Sequence, residues 1–187
     1  MGSVYHGIPE QMALDLMKQW GIEEFVETGT FRGLTAEWAA RHFWRVTTIE
    51  LPGEWYDESK AKLRPLANVQ LLCGDSWTIL PLVVSGLKGP TMFWLDAHWF
   101  GQGPKSDKGE CPLLAEIAAI NASSLPHVIL ADDARYFENP PPLPHKAEEW
   151  PTLAQVSAAL INGDQRAIFI KDDVIVAVPQ TSVKPLK

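Results

Sequence analysis

Short apolar runs alternate with helical patterns along most of this chain. Residues 25–27, 46–50, 69–73, 92–96 and 128–131 are apolar stretches too short for helices and bounded by polar residues or glycine, a pattern that predicts strands. Ahead of them Met12, Leu16 and Trp20 recur at helical spacing before Gly21, predicting an amphipathic first helix. Leu34 with Trp38, then Tyr56, Lys60 and Leu63, then Ile79, Leu80 and Val83, then Leu113, Leu114, Ile117 and Ile120 mark the helices between the runs. The order changes after Leu153, Val156 and Leu160, the last helix. Runs at 167–170 and 174–178 flank Lys171, Asp172 and Asp173, and so short a break predicts an antiparallel hairpin.

This alternation predicts an α/β chain, a single domain over residues 1–187. The expected architecture is a Rossmann-like, doubly wound, seven-stranded and mostly parallel sheet, with helices on both faces and the hairpin at its end. Two segments read as irregular: 101–110, rich in Gly, Lys and Asp, and 138–151, which holds Pro140, Pro141, Pro142 and Pro144. Both follow strands at the edge where ligands bind in such sheets.

A chain of 187 residues with 46% hydrophobic and 21% charged residues has the make-up of an ordinary globular protein. A net charge of -7 offers no basic stripe to a polynucleotide, so a small-molecule partner is expected rather than nucleic acid. Cys73 and Cys111 are too few for a disulfide framework or a zinc cluster and are expected as reduced thiols. No stretch approaches the length of a membrane span and no secretory signal pattern opens the chain, so a cytoplasmic protein without membrane contact is expected. Oligomeric state is not legible, and a homo-oligomer is allowed.

The carboxyl ends of the parallel strands converge on one edge, and here they carry Glu27, Glu50, Asp75, Asp96 and the pair Asp132–Asp133. In the turn Glu27, Thr28, Gly29, Thr30, Phe31, Arg32, Gly33, the two glycines let backbone approach a ligand. Glu27 adds a negative charge that repels pyrophosphate and attracts an ammonium or sulfonium. The three-glycine dinucleotide fingerprint is absent. Glu50, 23 positions after Glu27, is spaced to grip ribose hydroxyls. Asp75 can accept from the exocyclic amine of a base; equally, Asp75 or Ser76 can cap the helix that follows. Asp96, Asp132 and Asp133 repel one another unless a cation joins them, and their oxygens suit Mg²⁺; the alternative is that Asp133 turns outward to Arg135 and no metal binds. His98 is placed to act as a general base, or else it is simply bonded to a neighbouring acid. His145, Arg135 and Tyr136 are weaker candidates for substrate contact, and His6, His42 and His127 have no acids around them in sequence. Trp99, Phe100 and Trp150 border the loops as a candidate aromatic wall, whereas Trp94 inside its strand reads as packing.

Together these residues resemble the class I S-adenosylmethionine-dependent methyltransferases, through Glu27-Thr28-Gly29 with Gly33, the acid Glu50, and Gly74-Asp75. Leu95-Asp96-Ala97-His98 and Leu130-Ala131-Asp132-Asp133 look like the metal-dependent small-molecule O-methyltransferases of the macrocin and catechol types, although macrocin-type enzymes place the histidine three residues after the acid and here it follows by two. The resemblance implies that Glu27, Thr28, Gly29, Thr30 and Gly33 hold the amino acid part of the cofactor. It also implies Glu50 on the ribose, Asp75 with Ser76 on the adenine edge, and Asp96 touching both cofactor and metal. Asp96, Asp132 and Asp133 match the ligands of a divalent ion, His98 and Asp96 the catalytic pair, and the acceptor would be a hydroxyl of a small molecule. Two other classes compete: a non-catalytic nucleoside-binding module, and a metal-assisted hydrolase.

Overall fold

A computed structural model describes residues 7–163 and 165–180; His6 lies outside them. The first helix, α1 (Glu10–Trp20), buries Ala13 and Leu16 and stops at Gly21, whose left-handed φ of 59° turns its N–H back to the Met17 carbonyl. Seven strands follow: β1 (Glu24–Thr28), β2 (Arg45–Glu50), β3 (Val69–Cys73), β4 (Thr91–Leu95), β5 (Val128–Ala131), β6 (Arg166–Lys171) and β7 (Val174–Pro179). Interleaved with them are α2 (Leu34–Ala39), α3 (Glu54–Leu63), α4 (Ser76–Gly86), α5 (Leu113–Asn121), α6 (Ala134–Glu138) and α7 (Leu153–Ile161). Every strand run read from the sequence forms a strand, each within a residue of its expected limits.

The strands form one sheet in the order β3-β2-β1-β4-β5-β7-β6. β1 to β5 are mutually parallel, while β7 runs antiparallel to both β5 and β6. The hairpin is therefore antiparallel as expected, but its second strand is inserted beside β5 and the first, β6, becomes the edge. Because strand side chains alternate, the sheet feeds two cores. Val26, Phe93, Leu95 and Ile129 pack on one face with residues of α4, α5 and α7; Phe25, Val46, Met92, Trp94 and Leu130 pack on the other with α1 and α2. Trp94 is fully buried, as its place inside a strand implies.

The segment 138–151 is less irregular than expected: α6 precedes it, and Ala147–Glu149 forms a 3-10 turn. No helix among the described residues is long and apolar enough to cross a membrane. Cys73 is an exposed free thiol and Cys111 a buried one.

Candidate functional site

The order β3-β2-β1-β4 reverses direction of build-up between β1 and β4, the switch point at which open α/β sheets bind ligands. A cavity of about 600 Å³ opens there. Glu27, Gly29, Thr30, Glu50, Asp75, Ser76, Asp96, His98, Asp132 and Asp133 all line it, so residues far apart in sequence share one space. Thr28 and Gly33 do not line it. Thr28 follows Glu27 in a strand and so points to the opposite face of the sheet, toward Ser76 and Glu116. Gly33 is the left-handed residue ahead of α2, at φ 71°, backed by Leu63.

Gly29 is needed for a tighter reason than ligand approach. At φ 82° a Cβ there would lie 2.2 Å from the backbone oxygen of Asp96, so this glycine lets the loops after β1 and β4 touch. Main-chain bonds complete the join, from the Asp96 N–H to the Thr28 carbonyl (3.0 Å) and from the Gly29 N–H to the Ile49 carbonyl (3.0 Å).

Glu27 is 1% exposed. Thr48 donates to its Oε2 at 2.6 Å, and Thr30 bonds the Thr48 hydroxyl in turn. Burial outweighs that hydrogen bond, and with the nearby Glu50 it pushes the carboxyl from 4.5 up to about 8. Burial thus favours the protonated form of this carboxyl in the empty cavity.

Glu50 is clamped by main chain: the N–H groups of Phe31 and Leu51 donate to Oε2 and Oε1 at 2.7 and 2.8 Å. Phe31 reaches it by adopting a left-handed φ of 48°, costly for a bulky residue, and its ring packs against Trp55 and Phe100 at the cavity rim. The Thr30 backbone also bonds this carboxylate, and against these bonds burial still raises Glu50 above its ordinary value. Asp75 does what the capping alternative required, accepting from the Trp77 N–H at 3.0 Å to cap α4. Its second oxygen accepts from Ser106 at 2.6 Å, which ties the 101–110 segment across the cavity.

At the other end, His98 donates or accepts through Nε2 with Asp133 Oδ2 at 2.8 Å, and its Nδ1 faces Asp96 Oδ1 at 3.7 Å. Asp133 Oδ1 pairs with Arg135 at 2.7 Å, and Arg135 pairs also with Asp173 of the β6–β7 turn. Burial works to raise Asp133, but the His98 hydrogen bond and charge and the Arg135 guanidinium together hold it below its ordinary value. Burial and the negative neighbours Asp132 and Asp133 push Asp96 well up; burial and Asp133 push Asp132 to about 6. The sheet does bring the three expected metal acids together. Among the described residues, however, no group of three or more His, Cys, Asp or Glu side chains is arranged to hold a metal ion. Asp133 Oδ2 bonds His98 and its Oδ1 pairs with Arg135, so an ion there would share this carboxylate with a guanidinium, and the three acids as placed do not surround one.

Two carboxyls were not singled out in the sequence. Glu110, 2% exposed, accepts from Trp150 Nε1 (3.0 Å) and the Lys146 N–H (3.2 Å), and contacts His145 (3.1 Å) and Lys105 (3.4 Å). It thereby fastens the 101–110 and 138–151 segments to each other, and it places Trp150 and His145 in packing rather than on the cavity. Its flanking Gly and Lys residues made it look solvated. Glu116, 1% exposed, sits in α5 facing Ser76 and Thr28, and burial pushes it up to about 7. Its signal was available: it falls at a helix position between Leu113, Ile117 and Ile120, all core residues.

No protein-family model and no curated protein matches this chain in sequence. Solved structures do match in shape. The SAH-bound methyltransferase PaMTH1 of Podospora anserina superposes with a TM-score of 0.63 at 16% identity, over 91% of this chain and 77% of that one. The fold is that of the class I methyltransferases. A protein assigned as a caffeoyl-CoA O-methyltransferase from Staphylococcus aureus gives a TM-score of 0.65 at 13% identity, over 95% and 86% of the two chains. The N-methyltransferase NodS of Bradyrhizobium japonicum gives 0.54 at 11%, over 91% and 93%. Class I methyltransferase folds thus serve oxygen and nitrogen acceptors alike, and the acceptor atom must be argued from the site.

Proposed function

We propose that the protein is an S-adenosylmethionine-dependent methyltransferase acting on a hydroxyl of a small molecule. The observation that carries this reading is the row of acids lining one cavity at the switch point: buried Glu27, main-chain-clamped Glu50 and Asp75 on one side, the His98–Asp133 pair on the other. Glu27, ionised by pairing with a cation, suits a cationic amino acid moiety and not a phosphate. Glu50 suits ribose hydroxyls, and Asp75 shared with Ser106 suits the adenine edge. The cavity's size is that of ordinary small-molecule sites, and Trp55, Trp77, Trp99 and Phe100 give it flat apolar walls. A net charge of -7 argues against a polynucleotide acceptor. The two free thiols agree with a reducing, cytoplasmic setting.

When bound, S-adenosylmethionine supplies an electrophilic methyl group on a sulfonium. The protein's share is to align an acceptor oxygen with it and to remove that oxygen's proton. With its own proton on Nε2, given to Asp133, His98 presents Nδ1 as an acceptor on the cavity side. His98 Nδ1 would take the proton of the acceptor hydroxyl, while the bound sulfonium would supply the methyl group to that oxygen and leave as a neutral thioether. Asp133, held low by His98 and Arg135 against burial, would stabilise the resulting imidazolium. No step is assigned to a metal. Titration calorimetry with S-adenosylmethionine tests the reading: binding that Glu50→Ala weakens by tenfold or more, about 1.4 kcal/mol or greater, is expected, and no heat at millimolar ligand refutes it.

A further inference from the structure

The acids beyond β4 and β5 face a cation that the chain itself supplies. Arg135 is fixed from several directions. Its backbone N–H donates to Asp173 Oδ1 at 2.9 Å, its guanidinium pairs with Asp173 and with Asp133, and its Cζ lies 4.2 Å from the centre of the Tyr136 ring. Asp133 is fixed too, in a left-handed conformation of φ 59° that points one oxygen at Arg135 and the other at His98. Asp132 Oδ1 accepts from the Asp133 N–H at 2.8 Å. A magnesium ion needs several oxygens at about 2.1 Å in near-octahedral array. To gather them here it must share Asp133 with His98 and with a guanidinium tethered to the β6–β7 turn, whose positive charge opposes a second cation.

We infer that Arg135 is a built-in counter-ion that closes the Asp96, Asp132 and Asp133 group to divalent cations. The inference rests on the methyltransferase reading only for the use to which the crevice is put. It separates this chain from the metal-dependent enzymes that its Asp96 and Asp132–Asp133 segments resemble. Asp173 is part of the device, because it holds the guanidinium beside Asp133.

The test is a Mn²⁺ titration of the full chain, followed by the paramagnetic resonance of free Mn²⁺, with and without S-adenosylhomocysteine. Wild type is expected to show no site tighter than about 1 mM. Arg135→Met, checked for folding by circular dichroism, is expected to gain a site at least about tenfold tighter, which adding Asp132→Asn removes. Asp173→Asn, which frees the guanidinium without deleting it, is expected to move the same way and serves if Arg135→Met does not fold. A wild-type site tighter than about 1 mM that Asp132→Asn abolishes overturns the inference, as does the absence of Mn²⁺ binding in folded proteins carrying either change. Calorimetry with S-adenosylhomocysteine on the same samples reports separately on the methyltransferase reading.

Discussion

Replacing Glu27 by glutamine removes the one cavity carboxyl that burial holds at about 8, and the consequence for ligand binding can be worked through. At pH 7 a group with that value is about 90% protonated in the unliganded protein. If a ligand ammonium or sulfonium pairs with it, the carboxylate form is favoured and the proton must leave, so binding releases about 0.9 proton at pH 7. The sign follows directly: lowering the pH stabilises the protonated, unliganded form, and affinity falls. Between pH 7 and pH 6, where the amino group of the ligand stays charged, the ionised fraction falls from about 0.09 to 0.01, so affinity should drop about ninefold. Calorimetry with S-adenosylmethionine in buffers of different ionisation enthalpy reads the proton count as the slope of observed enthalpy. Glu27→Gln should bind more weakly and lose both the proton release and most of the pH dependence. A wild-type slope of zero, or an undiminished slope in Glu27→Gln, refutes the assignment of Glu27 to the cationic end of the ligand.

Other perturbations separate structural from ligand-facing roles. Gly29→Ala should cost about 3 kcal/mol, a drop in melting temperature of about 6–12 °C, because of the Asp96 backbone contact, whereas Gly21→Ala, also left-handed but facing open space, should cost only about 1 kcal/mol. For Glu116, unfolding returns the carboxyl from about 7 to 4.5, so the folded state loses stability as pH rises through that window; Glu116→Gln should stabilise at pH 8 by up to about 3 kcal/mol and have little effect below 4.5, as urea unfolding at the two pH values would measure. Glu110→Ala strands the Trp150 and Lys146 N–H donors, and amide exchange in 101–110 and 144–150 should quicken while the central strands β1 and β4 remain protected; unchanged exchange in those loops counts against Glu110 as their fastener.

The sheet was legible because its information is local. Val46 to Glu50 or Val128 to Ala131 cannot be helices of useful length, and each is followed by helical spacing. The insertion of β7 between β5 and β6 was not, since a hairpin's turn fixes which strands pair with each other but not which of the two meets the sheet. The acids were legible as a row, yet their partners were not. Nothing local says that Asp75 would be shared between a helix cap and Ser106, or that Asp133 would be turned left-handed toward Arg135. Those outcomes depend on the packing of 101–110 over α4 and of the β6–β7 turn against α6, contacts separated by 31 and 38 positions. That Thr28 does not line the cavity has a simpler reason, strand alternation, which was available from Glu27 onward.

The placement of β7 also bears on how the chain reaches this state. Until β7 docks, β5 presents a bare row of amide and carbonyl groups along Val128–Ala131, four wholly apolar and otherwise buried residues. A partly folded molecule lacking that strand is a template for pairing with another copy, and it also lacks Asp173, so Arg135 is not yet pinned beside Asp133. Docking of β7 therefore both shields the sticky edge and finishes the crevice, which couples solubility during folding to the assembly of the site.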